Sequence, residues 1–301
     1  MTGMAAGLGR QMPGVFHRRV GDILVTALHD GHQDAALSAL DGIAEAEAAR
    51  LLRSEFRPAR RTAVNAFLIR HGGRVALVDA GLGEGVRPSV GFVAAHLAAA
   101  GVAPEAVDTL LMTHLHRDHW GGIASRQGIP AFPQATLQVH QDEIAYWDDD
   151  DAMRGIADPA ARDASFLETR RRIAPYRAGM RLFTSAEVLP GVTAIPLPGH
   201  TPGHSGFMVA SGRHALLIWG DIVHVPELQV PRPEITMKVD VDPALAIATR
   251  RRLFDQVATD RLAIAGMHLH FPAFAHLARD GAGYRLVPDA WTLDLDGDCP
   301  I

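Results

Sequence analysis

The stretch Thr109–Gly122, TLLMTHLHRDHWGG, sets His114, His116, Asp118 and His119 within six residues, directly behind an apolar run. Side chains two apart in an extended chain share a face. Leu115 can therefore turn to the core while His114 and His116 face one cation. On a helix the same two ligands would need i, i+4 spacing. Asp118 and His119 follow where the chain turns, and Gly121-Gly122 let the backbone bend closely around a site. Neutral imidazole and carboxylate suit zinc and other borderline first-row cations. With the further potential ligands elsewhere in the chain, the cluster belongs to a set of more than four, more than one tetrahedral ion can use, which points to two metals. A histidine-rich turn without metal is the competing reading in a chain with 16 histidines. An H-x-H-x-D-H run behind a buried strand is a poor fit to chance.

Four further clusters sit in the same context, each after an apolar run. In LPGHTPGHS (197–205), prolines fix a loop and glycines let it approach something closely. Either His200 or His204 can be a ligand there, with the other supporting it. LLIWGDIVH (216–224) puts Asp221 at a strand end, where a carboxylate bridges cations or caps a turn; His224 follows. IAGMHLHFP (264–272) offers His268 and His270, and spacing does not choose between them. VALVDAGLG (75–83) leaves Asp79 at another strand end, suited to orienting metal-bound imidazoles from behind. Five strand-end clusters predict that one rim of the sheets converges on a site.

The remaining patterns frame that rim. Strand-like runs occupy 22–31, 62–70, 74–83, 106–113, 135–140, 191–205, 206–211, 213–221 and 261–271, with a hairpin signal at His71-Gly72-Gly73. Helical patterns occupy 40–56, 90–102 (ending near Gly101) and 242–258, and 141–181 reads as mostly helical, broken at Pro159 and Pro175. Residues 1–14 read as a loose arm, followed by one mixed α/β domain over 15–301. Hydrophobic residues make up 48% and charged residues 21% of the 301, enough for a substantial core. A net charge of -5 argues against a general nucleic-acid binder. The basic runs Arg170–Arg172 and Arg250–Arg252 and the acidic run Asp148–Asp151 read as solvated faces. Cys299 is the only cysteine, so neither an intramolecular disulfide nor a thiolate cluster forms. No apolar leader and no run approaching ~18 apolar residues is present, so a cytoplasmic protein without a membrane span is expected.

Read together, D79-A-G, H114-x-H116-x-D118-H119, H200-T-P-G-H, G220-D221 and His268 resemble, in order, the five motifs of the metallo-β-lactamase-fold hydrolases. The segments WGDIVHV and GMHLHFPAFAHLARDGAGYRLVP resemble more narrowly the branch of methyl parathion hydrolase and related lactonases. The resemblance implies an αββα sandwich of two mixed sheets flanked by helices. It implies that His114, His116 and His200 hold one metal, and that Asp118, His119 and His268 hold another. Asp221 would bridge them, with Asp79, His204 and His224 in support. The family pattern, rather than spacing, selects His200 over His204 and His268 over His270. The implied cofactors are two divalent ions, zinc first, with manganese, cobalt or iron also compatible.

The implied function is a dinuclear hydrolase whose bridging hydroxide attacks a lactone or ester, with organophosphate triesters as a further activity. Asp118 and Asp221 would be the catalytic carboxylates. Thioester (glyoxalase II-like) and β-lactam hydrolysis stay open, as does a mono-iron persulfide dioxygenase-like oxidation. Many acyl-homoserine lactonases of this kind carry a tyrosine shortly after the bridging Asp; here Ile222, Val223 and His224 follow. Trp147 is a candidate pocket wall, or core, and Arg87 a candidate contact for an anionic substrate, or a surface residue. The expected partner is a small molecule, with neither nucleic acid nor membrane, and relatives of this kind are often homodimers.

Overall fold

The strand runs pair into two seven-stranded sheets in a computed structural model, which describes residue 11 and residues 13–295. The first sheet has the order β1 (Val15–Val20), β2 (Ile23–Asp34), β4 (Arg61–His71), β5 (Arg74–Val78), β6 (Thr109–Leu111), β7 (Thr136–His140), β8 (Arg181–Phe183). The second has the order β16 (Gly283–Pro288), β15 (Phe274–Asp280), β14 (Ala263–Ala265), β12 (His214–Ile218), β11 (Ser205–Ser211), β10 (Val192–Pro196), β9 (Glu187–Leu189). A two-stranded ribbon pairs β3 (Leu40–Asp41) with β13 (Thr236–Met237).

Both sheets are mixed. From β5 to β8 the pairs are parallel, and in the second sheet β12 and β14 are parallel. Parallel neighbours finish at the same edge. The chain leaving β5 and β6 therefore emerges side by side, and so does the chain leaving β12 and β14.

Alternation along β4 explains why its whole run is apolar. Phe67 and Ile69 point into the space between the sheets, with Val78, Phe207, Val209, Ile218 and Phe274. Leu68 points the other way, with Leu77, Leu110, Leu137 and the flanking Leu97, Trp147 and Phe166. A strand buried on both faces reads as continuous hydrophobics. Phe67 meets Phe274 edge-on at 5.7 Å between centroids, joining the two sheets. Each such fully buried side chain contributes about 1.5–3 kcal/mol. Helix Pro243–Thr259 covers the outer face of the second sheet, with Phe254 against Trp219 at 5.8 Å. The arrangement is the αββα sandwich that the motifs implied.

Several boundaries differ from expectation. The helix read over 90–102 spans Val93–Ala99. Pro159 does not interrupt a helix; it opens one, capped by Asp158, because a missing N–H costs nothing in a first turn. The hairpin of β15 and β16 and the edge strands β1, β8 and β9 escaped a reading that sought longer apolar runs. The N-terminal arm and Cys299 lie, apart from residues 11, 13 and 14, outside the described residues. Among the described residues, no helix is long and apolar enough to cross a membrane.

The basic runs are not plain solvated faces. Arg172 is buried, pairs with Glu168 at 2.7 Å, donates to the carbonyls of Gly121 and Ala124, and lies over the Trp120 ring. Arg250 is fully buried and donates to the carbonyls of Ile222 (2.6 Å), Pro233 (2.8 Å) and Ile235 (2.8 Å). Burial pushes its guanidinium down to about 10. It is the strut beneath the loop that follows β12. Arg250→Ala leaves the buried carbonyls of Ile222 and Pro233 unpaired, while that of Ile235 keeps its bond from Gln229 Nε2 (3.1 Å), and should lower stability by about 3 kcal/mol in a urea titration. Arg251→Ala, on the exposed face, should stay within about 0.5 kcal/mol.

Candidate metal centre

Asp221 stands where these loops meet. Its Oδ2 lies 3.0 Å from His268 Nε2, 3.0 Å from His224 Nε2, 3.2 Å from His119 Nε2, 3.5 Å from His200 Nε2 and 3.7 Å from His114 Nε2. His116 Nδ1 lies 3.0 Å from His114 Nε2 and 2.9 Å from His200 Nε2. Asp118 faces the other side, 3.6 Å from His119 Nε2 and 3.5 Å from His268 Nε2. Ligand atoms thus group as His114/His116/His200, as His114/His119/Asp221, as Asp118/His119/His268 and as His200/Asp221/His224.

The far side of each ring decides what the near side can be. His119 Nδ1 is 2.7 Å from Asp79 Oδ2, and His200 Nδ1 is 2.6 Å from Asp240 Oδ1. His268 Nδ1 is 2.7 Å from the Ala63 carbonyl. His114 Nδ1 is 3.1 Å from Thr113 Oγ1, whose own proton goes to Asp79 Oδ2. Each outer partner accepts, so each Nδ1 carries the proton and each Nε2 turns a lone pair inward. Lone pairs crowded around a carboxylate oxygen repel unless cations lie between them. His119 Nε2 and Asp221 Oδ1 are buried with no hydrogen-bond partner. The donor set of imidazoles and carboxylates therefore fits first-row divalent ions.

The charges favour the same conclusion. Burial opposes a charge on His119, yet Asp221, Asp79 and Asp118 raise it well above the ordinary histidine value. His268 is also raised, by Asp221 and Asp118 against burial. Burial and neighbouring imidazoles lower His114 and His116 well below that value. Burial would raise Asp221, but His119, His268, His224 and His114 hold it well below the usual carboxylate range. The field that would protonate His119 and His268 attracts a metal cation equally.

The sequence profile of the Metallo-beta-lactamase superfamily matches residues 59–268. The chain belongs to that superfamily. A solved structure described as the hydrolase AbOPH in the beta lactamase superfamily superposes with a TM-score of 0.88 at 30% identity, covering 94% of this chain and 100% of that one. AidC, described as a dizinc quorum-quenching lactonase in complex with a product, shares the fold with a TM-score of 0.87 at 22% identity, over 93% and 99%. The chain spans 61% and 41% of the length of the two curated relatives it matches. The second of these, Ribonuclease TTHA0252 of Thermus thermophilus, is 30% identical over 190 residues, 62% of this chain.

The supporting residues of this superfamily member occupy distinct places. His204 uses both nitrogens within the protein: Nδ1 to the Leu197 carbonyl (2.8 Å), Nε2 accepting from Asp221 N (2.8 Å). A Cβ on Gly220 would meet His204 Nε2 at 2.4 Å, and φ there is +62°, so that position requires glycine. Gly121 and Gly122 serve a neighbour other than the site. A Cβ on either would meet the carbonyls of Leu82 and Ala80 at 2.1 Å, so they let the Asp79 loop pack on the histidine loop. Asp79 itself has φ +57°, a strained conformation held by its bonds from Thr113 N (2.9 Å) and Thr113 Oγ1 (2.7 Å). His224 stacks on His268 at 4.9 Å, its Nδ1 is unpartnered, and burial pushes it down to about 4. His270 points to Glu227 at 2.7 Å.

Trp147 is both core and wall. It is 4% exposed and packs on Phe166, yet it meets the His116 ring edge-on at 5.6 Å and lines a cavity of about 560 Å³ over the cluster. Arg87 is exposed and borders the same cavity.

Three residues behind the site carry no sequence signal. Asp240 orients His200. Asn65 donates to the carbonyls of Met267 (2.9 Å) and Leu269 (2.8 Å), fixing the loop of His268. Glu143, fully buried, accepts from Leu115 N (2.8 Å) and Trp147 Nε1 (2.7 Å) on one oxygen, and from Thr201 Oγ1 (2.7 Å) and Gly203 N (3.1 Å) on the other. It ties the His116 loop to the His200 loop.

Losing the outer carboxylate of a ligand histidine weakens metal binding by about 10- to 100-fold. Asp240→Asn should do so in a chelator competition without unfolding the chain. Metal affinity should also fall as pH drops, because protons compete for the inward nitrogens. His119 and His268, being raised, should begin to compete above the ordinary histidine range. An affinity flat from pH 8 to pH 6 would contradict ligation by these imidazoles.

Proposed function

We propose that this chain is a two-metal hydrolase of lactones or other carboxylic esters. His114, His116 and His200 would hold one ion, Asp118, His119 and His268 would hold the other, and Asp221, which lies among both groups, would be shared between them. The observation that carries this reading is the crowding of imidazole nitrogens around Asp221 Oδ2, with their outer nitrogens engaged. A single tetrahedral ion would leave half of that donor set unused. Zinc suits the ligands best, with manganese, cobalt and iron as compatible alternatives.

Bound there, the ions supply an acidified water and Lewis-acid polarisation of the scissile carbonyl. The chain supplies the rest. Asp118 is 22% exposed at the cavity floor, between His119 and His268, where its free edge can pass a proton to the leaving group. His224, neutral through burial, presents an unpartnered Nδ1 in the place where many lactonases of this fold carry a tyrosine. Trp147, Met237 and Val239 give the cavity an apolar wall that excludes bulk water from the acyl group. The likeness in fold to AidC supports a lactone as first substrate.

The test is a panel of lactones, aryl esters, phosphotriesters, thioesters and β-lactams, run on metal-loaded protein with measured metal content. Two ions per chain and fastest turnover of a lactone or ester are expected. One iron per chain with oxygen consumption would overturn the hydrolase reading. Asp221→Ala should lose one ion and lower turnover on the order of a hundredfold or more.

A further inference from the structure

The cavity over the cluster is bordered by three arginines, Arg60, Arg87 and Arg117, and by the carboxylates Asp34, Asp118 and Asp221. None of the three carboxylates is free to pair with them. Asp34 accepts from both Nε (2.8 Å) and Nη2 (2.9 Å) of Arg61, and the other two face the imidazoles. Among the described residues, none of the three arginines makes an ion pair.

Arg60 is the unusual one. It is 7% exposed, and a buried guanidinium is ordinarily paired. Its Nη1 donates to the Ala36 carbonyl at 2.8 Å, while its Nε is buried with no partner. Two residues on, Thr62 Oγ1 is likewise buried without a partner and borders the same cavity. The next residue, Ala63, accepts from His268 Nδ1 at 2.7 Å. The unsatisfied donors therefore lie just before β4, at Arg60, and within it, at Thr62, next to the Ala63 carbonyl that orients His268. With Asp34 held by Arg61, and Asp118 and Asp221 turned to the imidazoles, the three arginines leave unpaired positive charge at this cavity, in a chain whose net charge is -5.

We propose that Arg60, with Thr62 beside it and Arg87 and Arg117 at the rim, forms an anion subsite that takes a second carboxylate on the substrate, distinct from the bond being cut. The preferred substrates are then esters or lactones carrying a free carboxylate. This rests on the hydrolase reading and narrows its substrate class.

The test uses one matched pair. Full-length metal-loaded protein is given mono-4-nitrophenyl glutarate or its neutral counterpart, 4-nitrophenyl butyrate. In parallel, binding of glutarate and of butyrate is measured by calorimetry. The wild type should favour the anionic ester in kcat/KM by about tenfold or more, chiefly through KM, and bind glutarate tighter than butyrate by a similar factor. Arg60→Met should erase both gaps, and Arg87→Ala, at an exposed position where folding is not at risk, should narrow them. Equal handling of the two esters and of the two acids by the wild type would overturn the subsite, as would gaps that survive in Arg60→Met. If neither ester is hydrolysed but the glutarate gap depends on Arg60, the hydrolase reading fails and the subsite stands.

Discussion

The protein concentrates imidazole lone pairs around one carboxylate oxygen, and much of its architecture exists to make that tolerable. Five ring nitrogens lie within 3.7 Å of Asp221 Oδ2. In a buried site such a gathering repels itself and cannot be relieved by water. Divalent cations placed between the donors would turn that repulsion into ligation. The outer acceptors Asp79, Asp240, Thr113 and the Ala63 carbonyl fix which nitrogen of His119, His200, His114 and His268 faces inward.

The fold delivers these side chains because parallel strand pairs in two facing sheets end at one rim. β5 and β6 supply Asp79 and the His114–His119 loop; β12 and β14 supply Asp221 and His268. Backbone bonds sew the two sheets together beside the site, from Ser205 N to the Thr113 carbonyl (2.8 Å) and from Asn65 N to the Met267 carbonyl (2.9 Å). Glu143 joins the two loops that hold His116 and His200, and Arg250 supports the loop after β12. Without cations such an assembly leaves its like dipoles unbalanced, so binding of ions there would be coupled to local stability.

The histidine spacing, the strand-end carboxylates and the glycine punctuation were legible in the sequence, because ligand loops must follow short buried strands and those are read as apolar runs. The side chains His114, His116, Asp118, His119, His200, Asp221 and His268, which the family resemblance rather than spacing alone grouped together, lie together in the structure. What was not legible depends on contacts made late in folding. Asp240 lies in a stretch without periodicity and meets His200 forty residues away. Arg60 and Arg250 look like any surface arginine until the chain closes over them. Glu143 looks like a solvated helix residue until the His200 loop packs upon it. Edge strands such as β1 are half-exposed and lack the continuous apolar run that identified β4. Even Gly121 and Gly122, legible as a close approach, serve a neighbouring loop rather than the ions.

The most direct measurement is X-ray absorption at the metal edge of the loaded, full-length protein. A first shell of imidazole nitrogen and carboxylate oxygen at about 2.0–2.2 Å is expected, with no sulfur and a second metal at about 3.5–4 Å. A shell of water oxygens without imidazole scattering, or a solitary ion with no metal neighbour, would contradict the claim that these inward-facing nitrogens exist to grip a pair of cations.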